Sequence, residues 1–374
     1  MIYLDSAATT FQKPPAVRAA VQQALVSLSS PGRGSYPAAA KAAEVAFACR
    51  SELAELFHLD NPERVVFTMN ATHALNIAIK SLVPRGGRVV ISGYEHNAVT
   101  RPLAALGAEC VVAAAPLFQP EAVVEAFAAC ITPGTNAVIC NHISNVFGFI
   151  QPVEAIAALC RERGVPFIID ASQSAGVLPL DMTALGAAFI AMPGHKGLYG
   201  PQGTGVLLCG EGQETTTLLE GGTGSYSVQQ EMPDFLPDRL EAGTHNMPGI
   251  SGLLAGVRYV RSRGVGTIFR REKNLAFMMS KELRKTNGVQ VFSLSDMKAQ
   301  SGVLSVIPTG KDVESFGAEL EKYGVAVRAG IHCAPLAHKS AGTLETGTLR
   351  FSFSDFNTPE EVWHTLRIFR RCLA

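Results

Sequence analysis

The chain has 374 residues, 47% of them apolar, and its 32 Lys and Arg are balanced by 32 Asp and Glu. That supports a large buried core with room for a smaller second domain. It gives no charge-based footing for nucleic acid or an anionic membrane as a partner. Charges, glycines or prolines interrupt every apolar run, so no membrane span is read. The opening MIYLDSAATT has neither the basic region nor the apolar core of a secretory leader, which leads to the expectation of a cytoplasmic protein. The eight cysteines include no CxxC pair, which argues against a zinc or thioredoxin-type motif. Most lie in apolar stretches and read as small buried hydrophobes; Cys333 is the exception.

In chain order, Pro14-Pro15 opens a helix on which Val17, Val21, Leu25 and Leu28 recur at helical spacing. RVVFT (64–68) is a strand and ATHALNIAIKSL (71–82) a helix. Strands follow at RVVIS (88–92), CVVAA (110–114), NAVIC (136–140), PFIID (166–170), AAFIA (187–191) and GVLLC (205–209), with helices such as EAIAALCRER (154–163) between. Short β-branched runs alternating with helices imply a mostly parallel sheet with crossover helices, and strands covered on both faces are apolar throughout. Beyond about residue 250 the pattern becomes α+β. Helices are read at 249–262, 265–286, 311–322 and 358–372, and strands at GVLSVI (302–307), GVAVRA (324–329) and TLRFSF (348–353). The stretch 210–227 is Gly-rich enough to be a loop near a site.

Ligands of open parallel sheets bind beyond the carboxyl ends of the strands, so the residues just past each strand are the candidates. These are Asn70, Ala71 and Thr72; Glu95 and His96; Asn141, His142 and Asn145; Asp170 and Gln173; and Gly194, His195 and Lys196. Asp170 ends an apolar strand, where a carboxylate either caps the next turn or needs a partner. Lys196 ends the next strand in PGHKGLYGPQGTG. An amine and a carboxylate so placed suit pyridoxal phosphate, which needs a lysine for its Schiff base and a carboxylate to keep its pyridine nitrogen protonated. The helix opening at NATHALN offers free N–H groups and a positive dipole end to a phosphate. Cys333, in RAGIHCAP, has Arg328, Gly330 and His332 around it rather than an apolar stripe, and cations favour the reactive thiolate.

LDSAATT (4–10), RGSYPAA (33–39), FTMNATHALN (67–76), EHNA (95–98), NHISNVFG (141–148), IDASQSAG (169–176), PGHKGLYGPQGTGVL (193–207), EGGTGS (220–225), RLEAGTHN (239–246), VAVRAGIHCAP (325–335) and LRFSFSDFNT (349–358) together resemble the class V aminotransferase family, in its cysteine desulfurase branch. The form RxGxHCA is similar to the SufS-like group, which includes selenocysteine lyase-like members. The resemblance implies a fold-type I pyridoxal-phosphate enzyme. Residues 15–255 would form the large domain around a mostly parallel seven-stranded sheet, and 1–14 with 256–374 a smaller α+β domain carrying the catalytic cysteine. It further implies Lys196 as the Schiff-base lysine, Asp170 as the partner of the pyridine nitrogen, Gln173 as the donor to the phenolic oxygen and His96 as the stacking histidine. Ala71, Thr72 and His195 fall at the phosphate, and Thr244 reaches a phosphate across a homodimer interface. Asn145 and Arg350 hold the substrate carboxylate, and Cys333 takes the sulfur. L-cysteine would become L-alanine, leaving a persulfide on Cys333 for a sulfur-acceptor protein or small thiol. Selenocysteine lyase and cysteine sulfinate desulfinase use the same constellation. A class V aminotransferase needs no reactive cysteine, and a non-catalytic sulfur-handling scaffold needs no such intact set. Ala71 and Pro193 depart from the family's usual Thr and Ser, each removing a hydroxyl that could meet the phosphate. His73 stands where the family has a glutamate.

Overall fold

The computed structural model describes every residue except Arg33, the first of the RGSYPAA segment, which lies outside the described residues. A seven-stranded sheet has the spatial order Val65–Thr68, Gly205–Cys209, Phe189–Pro193, Phe167–Asp170, Thr135–Asn141, Arg88–Ser92, Glu109–Ala113. All run parallel except Gly205–Cys209, which is antiparallel to both neighbours. The reason is local: a parallel return needs a crossover of a dozen or more residues, and the short segment joining Phe189–Pro193 to Gly205–Cys209 carries no helix.

Helices cover both faces, so the central strands are buried throughout; every residue of Phe189–Pro193 and Gly205–Cys209 is buried. Each such Val, Leu, Ile or Phe side chain contributes about 1.5–3 kcal/mol relative to exposure. Helix Ala71–Leu82 begins directly after its strand because Asn70 caps it, its side chain accepting from the N–H of His73 at 2.9 Å. The twenty-residue helix Pro37–Leu56 has no counterpart in the sequence reading. Its face is built largely of alanines, which give little hydrophobic periodicity to read.

A second, antiparallel sheet has the order Arg328–Gly330, Thr348–Ser352, Val303–Pro308, Val289–Phe292. The single strand expected over 324–329 divides in two. Val325–Ala326 pairs in parallel with Ile2–Tyr3, while Arg328–Gly330 joins the four-stranded sheet and sets Arg328 opposite Arg350. The amino-terminal segment causes the division, because Leu4 donates to the carbonyl of Ala326 and Ser6 to that of Ser352. No helix among the described residues is long and apolar enough to cross a membrane.

Candidate active site

A cavity of about 220 Å³ opens at the carboxyl ends of the parallel strands. All the candidate site residues named by resemblance line it except Thr244, joined by Arg328 and His332 from the smaller sheet's side and Ala7 and Ala8 from the amino-terminal segment.

Asp170 and Lys196 stand where adjacent strands end, and both face the cavity. Asp170 is buried, and its Oδ1 accepts from the N–H of Ser172 at 2.9 Å, so it caps the following turn and lines the site at once. Lys196 retains some accessible surface, and it lines the cavity. Protein atoms nonetheless crowd its amine and push its pKa down to about 8; Asp170 opposes that shift and Arg350 adds to it. Nδ1 of His96 accepts from the N–H of Ala98 at 3.0 Å, capping helix Asn97–Ala105. That bond requires the other ring nitrogen to carry the proton, and burial holds the ring's pKa below the usual histidine value. Nε2 of Gln173 donates to the carbonyl of Ala7 at 3.0 Å.

At the other end of the cavity, the N–H groups of Ala71 and Thr72 make no hydrogen bond within the described chain, as the first turn of a helix leaves them. Gly205 lets the backbone pass close behind this turn, since a Cβ there would stand 2.6 Å from the backbone of Asn70. Nδ1 of His195 lies 3.0 Å from the hydroxyl of Thr9, and burial, with Lys196 and Lys13, pushes its pKa down to about 4. His195 is therefore neutral at physiological pH.

On the facing wall, Arg350 is almost wholly buried rather than a surface charge. Its Nη2 donates to Oδ1 of Asp5 at 2.6 Å and its Nη1 to the carbonyl of Asn145 at 2.8 Å, while Nε has no partner among the described residues. Asn145 also donates its Nδ2 to the carbonyl of His332 at 2.9 Å, leaving Oδ1 unpartnered. It thus joins the arginine to the cysteine segment. Cys333 is exposed onto the cavity. It and His332 both have left-handed backbones, with φ of 56° and 52°, a costly conformation for non-glycine residues that persists where surroundings hold it. The holding bonds are those from Asn145 to His332 and from the N–H of Asn97 to the carbonyl of Cys333, 2.8 Å.

The sequence sets His332 among cations beside the thiol. It is instead a buried residue whose Nε2 donates to the carbonyl of Thr348 at 3.1 Å, and burial, with Arg350 and His338 nearby, pushes its pKa down to about 2. Arg328 remains an exposed cation on this wall, lining the cavity beside the buried Arg350. Two other cysteines depart from the buried default: Cys110 is exposed and Cys130 half-buried.

Asp5 and Glu95 matter more than the sequence disclosed. Glu95 is fully buried; its Oε1 accepts from the hydroxyl of Ser92 at 2.5 Å and the N–H of Asn141 at 2.8 Å, and Oε2 has no partner among the described residues. Burial pushes its pKa up to about 8, against the Ser92 hydrogen bond and with the help of Asp170. Its place after a strand was the available signal. Asp5 lies in the LDSAATT segment that carries the resemblance, but nothing local gives it this role, because the pairing joins positions 345 apart in sequence. Thr244 is exposed and outside its own chain's cavity. The buried Glu241 steadies the start of its segment by accepting from Arg50 at 2.7 and 2.6 Å and from the N–H of Phe67 at 2.5 Å.

The aminotransferase class-V family model matches residues 2–364. A probable cysteine desulfurase from Methanothermobacter thermautotrophicus is 33% identical over 96% of this chain and 92% of its own length. A cysteine desulfurase from Yersinia pestis is 30% identical over 97% of this chain and 91% of its own. This chain belongs to the class-V aminotransferase family, in its cysteine desulfurase branch. Among solved structures, the apo cysteine desulfurase of Thermococcus onnurineus superposes with a TM-score of 0.89 at 29% identity, covering 99% of this chain and 94% of that one. The cysteine desulfurase CsdA of Escherichia coli gives 0.87 at 28%, with the same coverage. The fold of these enzymes is the α/β arrangement described above.

Proposed function

We propose that the protein is a pyridoxal-phosphate-dependent cysteine desulfurase that converts L-cysteine to L-alanine and collects the sulfur on Cys333. The observation that carries this reading is one cavity lined by Lys196, Asp170 and His96 on one wall and by Cys333, Arg328 and Arg350 on the other.

The donor set fits the cofactor. Lys196 supplies an amine, Asp170 a buried carboxylate for the pyridine nitrogen, and His96 a neutral ring. Ala71 and Thr72 supply free N–H groups for the phosphate, which offset the hydroxyls lost at Ala71 and Pro193. Gln173 has a second amide proton for the phenolic oxygen. Bound there, the cofactor supplies an electron sink for the substrate's α-carbon. Lys196 holds the cofactor and, once released, moves the α-proton; an amine of lowered pKa is suited to both. Arg350 binds the substrate carboxylate, since a guanidinium meets a carboxylate in a fixed fork, and Asn145 aligns that arginine with the cysteine segment. The Cys333 thiolate attacks the substrate sulfur; the bond from that sulfur to the substrate's β-carbon breaks, its electron pair stays with the carbon skeleton, which takes a proton to become alanine, and Cys333 keeps the sulfur as a persulfide until a small thiol or a sulfur-acceptor protein takes it.

The exposure of Thr244 outside its own cavity supports a homodimer in which it serves the partner's phosphate. Pairing of Ile2–Tyr3 with Val325–Ala326 supports grouping residues 1–14 with 256–374 as the smaller domain around 15–255. The testing experiment supplies the holoenzyme with cysteine, selenocysteine or cysteine sulfinate and measures alanine. Formation from cysteine supports the reading, formation only from selenocysteine or only from cysteine sulfinate assigns lyase or desulfinase, and none from any overturns it.

A further inference from the structure

We infer that Asp5, which no part of the reaction uses directly, is a positioning residue that sets Arg350 for the substrate's carboxylate. This rests on the reading of Arg350 as the carboxylate's partner. Arg350 is 2% exposed, so its guanidinium is held by protein groups rather than by water. Those groups are few: the Asp5 carboxylate at 2.6 Å, and the carbonyl of Asn145 at 2.8 Å. Asp5 is the one carboxylate among the described residues that pairs with it, and it is not part of the cavity lining that Arg350 joins. Arg328, directly opposite Arg350 across the strand pair, is a like charge that would otherwise push the guanidinium away.

Asp5 is itself fixed. Leu4 and Ser6 are bonded to Ala326 and Ser352, and the N–H of Ala7 donates to the Ser352 hydroxyl at 2.9 Å. The carbonyl of Ala7 accepts from Gln173, so the strap that orients the arginine also reaches the cofactor wall. With Asp5 removed, a buried guanidinium keeps a lone backbone acceptor and loses its defined rotamer.

The test uses the holoenzyme and reads cofactor absorbance during titration with L-alanine, which carries the substrate's carboxylate, and with cysteamine, which carries amine and thiol but no carboxylate. Asp5→Ala should weaken L-alanine about tenfold or more and raise KM for cysteine similarly, with kcat and cysteamine binding within about threefold. Asp5→Asn retains an acceptor oxygen and should restore most of the loss. If Asp5→Ala fails to fold, Asp5→Ser, whose hydroxyl stops short of Arg350, carries the same expectation. Unchanged L-alanine binding, or equal weakening of L-alanine and cysteamine, overturns the inference. Arg350→Gln tests the underlying reading separately: if it leaves L-alanine binding intact, the carboxylate site lies elsewhere.

Discussion

The backbone N–H of Asn97 donates to the carbonyl oxygen of Cys333 at 2.8 Å. The helix that starts at Asn97 is capped by His96, so one turn of backbone joins the ring on the cofactor wall to the thiol that faces it. Asn97 is also the first residue of its helix, a position that tolerates proline, and the extended backbone of His96 suits a residue before proline. Asn97→Pro should therefore keep fold and cofactor while deleting this bond, together with the long one that Oδ1 of Asn97 accepts from the hydroxyl of Thr100 at 3.4 Å. The expected result is full cofactor content with desulfuration lowered by up to about tenfold. Cofactor absorbance and alanine formation check the two halves.

Asp170 does two jobs that a single substitution can separate. Asparagine in its place still offers an oxygen to the N–H of Ser172, so the turn survives. It cannot supply the negative charge. Asp170→Asn should fold and retain the cofactor but lose roughly 100-fold or more in the rate of alanine formation. Thermal unfolding and single-turnover kinetics distinguish that outcome from a structural defect.

The crowded amine of Lys196 sets when the cofactor can be attached. Only the neutral amine condenses with an aldehyde, and its pKa is pushed down to about 8. The rate at which cofactor-free protein couples pyridoxal phosphate should rise with pH and level off above about 8, rather than climbing toward the range of a solvated lysine. Stopped-flow absorbance after borohydride-controlled end points follows this directly.

Glu95 gives stability a pH slope. Its folded pKa of about 8 lies above the value of an unfolded glutamate, so the folded chain binds the extra proton between the two. Stability contributed by that proton is complete below the unfolded value and is lost as pH rises through about 8. Each pH unit within the window costs up to about 1.4 kcal/mol. Glu95→Gln, which keeps an acceptor and no titration, should remove this part of the slope. Denaturant unfolding of wild type and variant between acid and mildly alkaline pH measures the difference.

The sheet and one wall of the site were legible in the sequence because they rest on local signals. Apolar strand-length runs mark the parallel strands, and the residue after each run is bound to fall at the sheet's carboxyl edge, which is how Asp170, Lys196 and His96 could be selected. Arg350 rests on resemblance alone, and Asn145 and Cys333 take their roles from it although a strand-end position and a cationic setting already mark them, because all three sit on elements that meet only after the smaller sheet folds back over the larger. The same distance hid the pairing of Asp5 with Arg350. His332 was misread because a histidine beside a cysteine looks polar in sequence, whereas its burial against Thr348 is a tertiary fact. GVLLC reads like its neighbours, and only the missing crossover before it reverses its direction.

The whole reaction turns on Cys333 receiving the sulfur. Incubating the holoenzyme with cysteine at a concentration below that of the sites and no other thiol, followed by peptide mass spectrometry under non-reducing conditions, decides this. One added sulfur atom is expected on the peptide carrying Cys333 and none on those carrying Cys110 or Cys130, with alanine and added sulfur formed in equal amounts. Continued alanine formation with Cys333 unmodified, or undiminished turnover in Cys333→Ala, would contradict it.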